Sequence, residues 1–163
     1  PIGSYVVAQR SIGFDGLLNY YDVPETLFDM DFENAFCRHT QWMARLAKPY
    51  VVSADEELVA RIGYDMVKGV TISAPGFYGP QGRYVRLKPK DMELNEKIRS
   101  FRYGNEMITN FEMESSALAG LGKALGHKAM TVCAIIAGRV HKNMITEYKG
   151  SIEELVKIVL ERI

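Results

Sequence analysis

The sequence has little of what marks secreted, membrane-bound or nucleic-acid-binding proteins. Its 163 residues include only two cysteines, Cys37 and Cys133, in apolar or helical contexts that favour free buried thiols over a disulfide or a metal site. No signal-peptide pattern opens the chain, and the longest apolar run, residues 129–137, is too short to span a bilayer. Twenty basic residues balance twenty acidic ones, so a polyanion-binding surface is not indicated. We expect a soluble cytoplasmic protein with neither a membrane nor a nucleic acid as partner.

The sequence also lacks a group of residues at the spacing of metal ligands, and it lacks an initiator methionine. No histidine or further acid accompanies the carboxylates of Glu112 and Glu114 at the spacing of metal ligands, and His39, His127 and His141 are scattered, as is typical of surface or capping histidines. We therefore expect no metal centre. The first residue is Pro1, and a strand pattern begins a few residues later, so the sequence is expected to be a fragment or part of a longer polypeptide.

What is present is the composition of an ordinary globular domain, with 47% hydrophobic and 25% charged residues. No internal repeat, low-complexity tract or linker divides residues 1–163, so one domain is expected. Extended segments are predicted at residues 5–10, 17–21, 67–74, 108–111 and 128–137. Helices are predicted at residues 31–47, 91–101 and 115–125, and capping boxes at Ser53 and Ser151 open two more. This alternation predicts an α/β fold.

Two of these segments carry specific expectations about burial. Residues 128–137 form a near-continuous apolar run, typical of a strand buried on both faces in a parallel sheet, and the run leads into Gly138 and Arg139. The helix at 115–125 is expected to bury Leu118, Leu121 and Leu125 and to end at Gly126. The last helix is expected to bury the apolar positions Leu155, Val156, Val159, Leu160 and Ile163.

Two carboxylates stand at the junction between a strand pattern and a helix pattern. Glu112 and Glu114 are spaced i and i+2, so in an extended segment both side chains point to one side. Ligands of open α/β sheets bind outside the carboxyl ends of the strands, which favours a binding site here. Alternatively, Glu114 and Ser115 form the first turn of the helix, where acids and hydroxyls are also favoured. The spacing leaves both interpretations open.

The loop at residues 75–83 is the second candidate for a binding segment. It contains three glycines and two prolines, and it carries Phe77, Tyr78, Gln81 and Arg83. Glycines allow a backbone to approach a ligand closely, and loops on rigid scaffolds often carry binding residues. The alternative is an ordinary exposed turn.

The side chains at these strand ends are suited to a nucleoside. A carboxylate can accept hydrogen bonds from both hydroxyls of a ribose. The Gln81 amide complements an N–H beside a C=O on a planar heterocycle, and Arg83 can donate to a carbonyl oxygen. Aromatic rings can stack on the base or the sugar. Arg139, at the end of the apolar strand, is expected to reach the same end of the sheet as the two glutamates.

Three stretches resemble the nucleoside phosphorylase family, most closely its uridine phosphorylase branch: GVTISAPGFYGPQGR, NFEMESSAL and AMTVCAIIAGR, in this order along the chain. The resemblance implies a mixed, largely parallel central sheet flanked by helices, incomplete at the amino terminus. It implies phosphorolysis of uridine to uracil and ribose 1-phosphate, with inorganic phosphate as co-substrate and no metal or organic cofactor. It also implies a homodimer or an assembly of dimers.

The resemblance assigns roles to individual residues. Gln81 and Arg83 match the uracil-binding pair, and Glu112, Met113 and Glu114 match the ribose-binding segment. Phe77 and Tyr78 match aromatics that line the nucleoside pocket, and Arg139 matches an arginine near the base. Arg83, Gln81 and Glu114 are the expected catalytic residues, because Arg83 and Gln81 would stabilise negative charge on the uracil carbonyls while Glu114 holds the ribose.

The chain departs from the family pattern in two ways, and these keep other functions open. Gly138 stands where family members have a polar residue, and the family's phosphate-binding residues lie before the position that corresponds to Pro1. A purine phosphorylase or a hydrolytic nucleosidase shares the fold, but these relatives carry an acid near Gly138. A non-catalytic remnant that binds nucleosides or has only a structural role is the alternative outside enzymes.

Overall fold

A mixed sheet with helices packed against it forms the framework of the protein. The computed structural model describes residues 2–138, 143–144 and 146–163. Within these residues the strands are β1 (Tyr5–Gly13), β2 (Tyr50–Ser53), β3 (Val67–Ser73), β4 (Arg102–Tyr103), β5 (Glu106–Glu112), β6 (Val132–Ala134), β7 (Ala137–Gly138) and β8 (Asn143–Met144). The α-helices are α1 (Met30–Thr40), α2 (Glu56–Ile62), α3 (Leu94–Ser100), α4 (Ser115–Ala124) and α5 (Lys149–Arg162). Among the described helices, none is both long and apolar enough to cross a membrane.

Three parallel strands form the centre of the main sheet. The strand order is β2-β1-β3-β5-β4, and β1, β3 and β5 run parallel to one another. Strands β2 and β6 both pair antiparallel with β1, and β4 pairs antiparallel with β5; β7 and β8 pair separately. The expected α/β fold with a mixed sheet and flanking helices is confirmed.

The core consists of side chains between the sheet and its helices. One cluster lies under α1 and α3, where the rings of Phe32 and Phe36 each meet the Phe101 ring with centroids 5.3 Å apart. A second cluster, containing Leu18, Tyr50 and Ala119, lies under α4. Edge-to-face aromatic pairs and buried aliphatic side chains of this kind are the main source of stability in such a domain.

Two predicted boundaries near the amino terminus are wrong. Residues 17–20 form a 3₁₀ helix instead of an extended segment, because Gly16 adopts a left-handed conformation and the Asp15 carboxylate accepts the Leu17 N–H at 3.0 Å. Helix α1 ends at Thr40, well before the predicted end, since Gln41 has a φ of 51°. A residue with positive φ ends the helical repeat regardless of the apolar pattern that follows.

The predicted caps and buried faces of the later helices also need correction. Helix α2 is capped by Asp55, whose carboxylate accepts the Leu58 N–H, and Ser53 belongs to β2. Helix α5 begins at Lys149, before the predicted Ser151 cap. Of its predicted inward residues only Leu155 is buried; Val159 is half-buried, and the remaining three are exposed: Val156, Leu160 and Ile163.

Helix α4 has the predicted bounds but packs on a different face. It ends at Ala124, and Gly126 has a φ of 78°, as expected of a left-handed residue after a helix. However, Leu118 and Leu125 are exposed, and the buried residues are the small ones: Ser115, Ser116, Ala119 and Gly120. A Cβ at Gly120 would lie 2.1 Å from Leu18 Cδ1, so the helix lies too close to its neighbour for a larger side chain on that face.

The apolar run at 128–137 does not form a long parallel strand. Only Val132–Ala134 pair with β1, they do so antiparallel, and their side chains are half-buried. Because Tyr5 pairs with Ala134, the carboxyl end of β6 lies at the start of β1, away from the carboxyl ends of β3 and β5. The basis for placing Arg139 beside the glutamates is therefore wrong; Arg139 itself lies outside the described residues.

Candidate functional site

The two candidate binding segments leave the sheet side by side. Ser73 at the end of β3 pairs with Glu112 at the end of β5, and the Ala74 N–H donates to the Glu112 carbonyl at 2.9 Å. Since β3 and β5 are parallel, the loop at 75–83 and the acidic segment at 112–115 start from one edge of the sheet. This is the edge at which α/β proteins bind their ligands.

The backbone of the loop is shaped by a short helical turn and a glycine. Residues Gly79–Gln81 form a 3₁₀ helix, and Gly82 follows with a φ of 72°. The Asn95 side chain of α3 donates to the Gln81 carbonyl at 3.2 Å, and a Cβ at Gly82 would lie 2.1 Å from the same amide nitrogen. The left-handed conformation at residue 82 favours glycine, and a larger side chain there would displace the Asn95 amide.

The loop's four candidate side chains form one cluster. The Arg83 guanidinium lies 4.0 Å above the centroid of the Phe77 ring, and its Nη1 donates to the Phe77 carbonyl at 3.1 Å and to Gln81 Oε1. The Phe77 and Tyr78 rings meet edge to face with centroids 5.5 Å apart. Gln81 is buried, whereas Phe77 and Tyr78 are 53% and 58% exposed, so aromatic surface remains available for stacking.

The acidic segment is both a strand end and a helix start. Glu112 is the last residue of β5, and Glu114 is the cap position immediately before α4. The helix-start interpretation is therefore confirmed for Glu114 and Ser115, and the binding role of the strand end stays a prediction. Glu114 and Met113 are exposed, and among the described residues no side chain bonds to the Glu114 carboxylate.

The Glu112 carboxylate, by contrast, bonds to the protein on both oxygens. Oε1 accepts hydrogen bonds from the hydroxyls of Ser73 at 2.6 Å and Ser115 at 2.7 Å. Oε2 accepts the backbone N–H groups of Glu114 at 2.7 Å and Ser115 at 2.8 Å. The side chain thus satisfies two of the N–H groups that a helix leaves unpaired at its start.

Buried hydroxyls surround Glu112, and the sequence did not predict them as part of the site. Ser11 Oγ donates to Ser115 Oγ at 2.9 Å, and the Ser116 N–H donates to Ser73 Oγ at 2.8 Å. All four serines are at most 2% exposed. Ser73 ends strand β3, whereas Ser115 and Ser116 open helix α4. These serines come together only because β3 pairs with β5.

Tyr50 completes this cluster from β2. Its hydroxyl lies 2.9 Å from Ser116 Oγ. Burial is the main cause that raises the Tyr50 pKa far above its ordinary value of 10.0, and the nearby Asp15 and Glu112 carboxylates raise it further against the opposing hydrogen bond to Ser116. Tyr50 is therefore a neutral phenol at any physiological pH.

Cys133 lies close enough to the acidic segment to be affected by its charge. Burial raises the pKa of its thiol to about 11, the carboxylates of Glu112 and Glu114 raise it too, and a hydrogen bond with Asn110 opposes them. Cys37 and Cys133 are both free, as predicted, although each is half-buried. Such a thiol is protonated at neutral pH and is a poor nucleophile.

Two clefts among the described residues lie away from these segments. The larger, of about 420 Å³, is lined in part by Asp29, Ser53 and Lys123, and the smaller, of about 230 Å³, by Arg10, Ser53 and Lys68. Neither contains a residue of the loop or of the acidic segment. Within the same residues no group of three or more His, Cys, Asp or Glu side chains is placed to hold a metal ion.

Comparisons with known proteins show the family of the chain. Residues 1–161 match the model of the Phosphorylase superfamily. A uridine phosphorylase of Haemophilus influenzae is 24% identical over 161 residues, which are 98% of this chain and 57% of that protein. The chain therefore spans a little over half the length of the curated relative that it matches.

Solved structures show the same fold. The crystal structure of a Trypanosoma brucei nucleoside phosphorylase that shows uridine phosphorylase activity has a TM-score of 0.82 and 24% identity, covering 99% of this chain and 58% of that one. Isoform 2 of uridine phosphorylase from Schistosoma mansoni, in complex with citrate, has a TM-score of 0.64 and 21% identity, covering 99% and 53%. With the match along residues 1–161, the chain belongs to the phosphorylase superfamily.

Proposed function

We propose that the protein catalyses the phosphorolysis of uridine to uracil and ribose 1-phosphate. The observation that carries the proposal is the Gln81–Arg83 pair, held together on a loop that leaves the sheet at the same edge as the acidic segment. Membership of the superfamily and relatives that act on uridine support a nucleoside substrate. The pyrimidine preference is the proposal's own step, and it rests on the chemistry of this pair.

The pair suits a uracil ring because it supplies complementary polar groups in a fixed arrangement. The guanidinium of Arg83 lies over the Phe77 ring and bonds to the Phe77 carbonyl, so its orientation is set before a ligand arrives. A guanidinium has five N–H groups, and those not used within the loop can donate to a uracil carbonyl. The Gln81 amide can both accept from and donate to the N–H and C=O groups of the ring.

The acidic segment suits the sugar. Glu114 is exposed in the segment that starts from the same sheet edge as the loop, and its carboxylate can accept hydrogen bonds from both ribose hydroxyls. Met113 and the half-exposed rings of Phe77 and Tyr78 offer apolar surface to the sugar and the base. We assign Phe77, Tyr78, Gln81, Arg83, Met113 and Glu114 to nucleoside binding, and retain Arg139 as a proposed contact near the base on the family resemblance alone.

The charges of these residues match those that develop as the glycosidic bond breaks. Positive charge grows on the ribose and negative charge on the uracil carbonyls. Glu114 stabilises the first and Arg83, with Gln81, the second. Inorganic phosphate is the proposed nucleophile, with no metal or organic cofactor taking part. A homodimer or an assembly of dimers in the cytoplasm is the proposed working form.

The test is an assay of the whole natural protein with uridine, inosine and adenosine, each with and without phosphate. The proposal predicts uracil release that depends on phosphate and is faster than release of either purine. Release of hypoxanthine or adenine in preference to uracil would identify a purine enzyme, and phosphate-independent release a nucleosidase. No turnover, with uridine still bound in a calorimetric titration, would indicate a non-catalytic nucleoside-binding protein.

A further inference from the structure

The environment of Glu112 differs from that of Glu114 although the two carboxylates are two residues apart. A carboxylate has about four lone-pair positions for hydrogen bonds. At Glu112 four donors from the protein occupy them: the hydroxyls of Ser73 and Ser115 and the N–H groups of Glu114 and Ser115. Glu112 therefore has little remaining capacity to accept sugar hydroxyls.

The donors around Glu112 come from three different elements and are themselves fixed. Ser73 is on β3 and accepts the Ser116 N–H of α4, and Ser115 of α4 accepts from Ser11 of β1. Because these serines are almost fully buried, no water competes for the hydrogen bonds, and a satisfied buried network of this kind is rigid. Glu112 joins the sheet to the first turn of α4.

The Glu112 carboxylate acts directly on the backbone of Glu114. One of its four hydrogen bonds comes from the Glu114 N–H, and another comes from the next residue. These bonds fix the peptide planes on both sides of the Glu114 Cα, and so set the direction in which its exposed side chain leaves the backbone. Losing them would free the segment that presents the Glu114 carboxylate.

We propose that Glu112 is a positioning residue, which orients Glu114 toward the ribose hydroxyls and does not itself touch the sugar. This inference rests on the proposed function, since it assigns Glu114 alone to the hydroxyls of the nucleoside. It replaces the expectation from the family motif that both glutamates bind ribose. The same geometry makes Ser73 a second positioning residue, acting through Glu112.

The two roles of Glu112 predict different behaviour for a glutamine at this position. In Glu112→Gln, the amide oxygen can still accept the two backbone N–H groups, while the NH₂ group faces serine hydroxyls that can rotate to accept. The variant therefore keeps the helix start and should fold. Glu112→Ala loses both the hydrogen bonds to the backbone N–H groups and the negative charge. If Glu112→Gln keeps the activity that Glu112→Ala loses, the hydrogen bonds matter and a negative charge at the sugar is not needed.

The measurement is the ratio of kcat/KM for uridine to that for 2′-deoxyuridine, in the whole natural protein and in Glu112→Gln, Glu112→Ala and Glu114→Gln. A site built to bond a hydroxyl discriminates strongly against a substrate without it, so the ratio should fall at least roughly tenfold in Glu114→Gln. We expect Glu112→Gln to keep the wild-type ratio within about threefold and Glu112→Ala to lose it. Hydrogen exchange should show the Glu114 and Ser115 amides protected in Glu112→Gln and unprotected in Glu112→Ala.

The outcomes separate this inference from the function on which it rests. Absence of phosphorolysis in the wild-type protein overturns both. An active wild-type protein in which Glu112→Gln loses the ratio as fully as Glu114→Gln, with its amides still protected, overturns the positioning role alone. If Glu112→Gln does not fold, Ser73→Ala serves instead. Residue 73 is buried beneath Glu112, so the positioning role requires that this variant lower the ratio of uridine to 2′-deoxyuridine kcat/KM. An unchanged ratio contradicts the positioning role.

Discussion

The Tyr50 ring lies directly against the α-carbon of Gly13. A Cβ added at Gly13 would stand 2.2 Å from Tyr50 Cζ, closer than any real contact. Gly13 ends β1 and Tyr50 begins β2, and the ring crosses this point to bring its hydroxyl to Ser116 of α4. The absence of a side chain at Gly13 therefore allows the tyrosine to connect the sheet to the helix that starts at the site.

Gly13→Ala should destabilise the protein by displacing this ring. Overpacking a tightly packed core costs about 1–3 kcal/mol of the free energy of unfolding, and the same range is expected here. Urea unfolding followed by circular dichroism measures the change. Gly150→Ala is the control, because nothing lies within 4 Å of a Cβ at that position and alanine favours the helix. Equal stabilities of the two variants would contradict the described packing.

Tyr50→Phe should change how stability depends on pH above 10. The folded protein holds the Tyr50 proton to a higher pH than the unfolded chain does, so this stabilisation is present below pH 10 and is lost as pH rises toward the folded pKa. One such group can add a slope on the order of 1.4 kcal/mol per pH unit to the loss of stability.

The comparison is urea unfolding of wild type and Tyr50→Phe between pH 8 and 11. The variant should be less stable by about 1 kcal/mol at pH 8, where it lacks the buried hydroxyl's hydrogen bonds, and should lose stability less steeply above pH 10. Tyr20→Phe, at a residue 85% exposed, is the control and should follow wild type. Parallel curves for wild type and Tyr50→Phe would show that Tyr50 is not protected from ionisation.

The Cys133 thiol should react slowly with alkylating reagents in the folded protein. With a pKa of about 11 against an ordinary 9.0, its thiolate fraction at pH 8 is smaller by on the order of 100-fold. Iodoacetamide labelling of a Cys37→Ser variant, followed by mass spectrometry, should therefore be slower by at least about that factor than labelling of the same chain in urea. Similar rates in the two states would contradict both the burial and the raised pKa.

Arg83→Ala should reduce turnover of uridine more than it reduces binding. Arg83 is proposed to stabilise negative charge that develops on the uracil only as the bond breaks, and loss of such an interaction typically costs about 10²–10³ in kcat. Steady-state kinetics with a calorimetric measurement of uridine affinity separates the two effects. Arg86→Ala, an exposed arginine three residues away, is the matched control. A collapse of affinity with a normal rate on bound substrate would assign Arg83 to ground-state binding alone.

Arg162 should determine how firmly α5 is attached. Its guanidinium donates to the Ile62 carbonyl at 2.7 Å and to both carboxylate oxygens of Asp65 at 2.6 and 2.9 Å, while Leu155 is the buried residue of the helix. Arg162→Ala should raise hydrogen exchange along α5, and Arg162→Lys should restore little, because an ammonium does not form the paired bonds. Lys157→Ala is the control and should leave hydrogen exchange along α5 unchanged. A rise equal to that in Arg162→Ala would show that the bonds of Arg162 to Ile62 and Asp65 do not hold the helix in place.

Sequence patterns predicted the central parallel strands and the two candidate segments that follow β3 and β5, because these signals are local. The alternation in residues 67–74 and the glycines of the loop at 75–83 lie within a few residues of what they predict. The packed face of α4 was predicted wrongly, since leucine spacing suggests burial while the helix in fact approaches Leu18 through Gly120. Such an approach depends on a residue about a hundred positions away.

The direction of β6 and the hydroxyl cluster were beyond sequence reasoning for a related reason. An apolar run has the same composition whether it pairs parallel or antiparallel, and Val132–Ala134 pair with the first strand of the chain. Likewise, Ser11, Ser73 and Ser115 are ordinary strand and helix-cap residues until the pairing of β1, β3 and β5 brings them together. The sequence indicates which residues are polar, and the topology determines which of them meet.

The register of the three parallel strands contains two single-residue irregularities at the same height. Ala8 pairs with Gly69 and Arg10 with Val70, so β1 has one extra residue; Val70 pairs with Ile108 and Thr71 with Asn110, so β5 has another, Thr109. Side chains alternate between the two faces of a strand, and a bulge absorbs an extra residue so that the residues after it keep their partners and faces. The Glu112 carboxylate meets the Ser73 hydroxyl because the bulge absorbs Thr109 before it. If the same residues formed a regular strand from Ile108 onward, Glu112 would pair one position further along β3, opposite Ala74, and its carboxylate would leave the sheet on the opposite face.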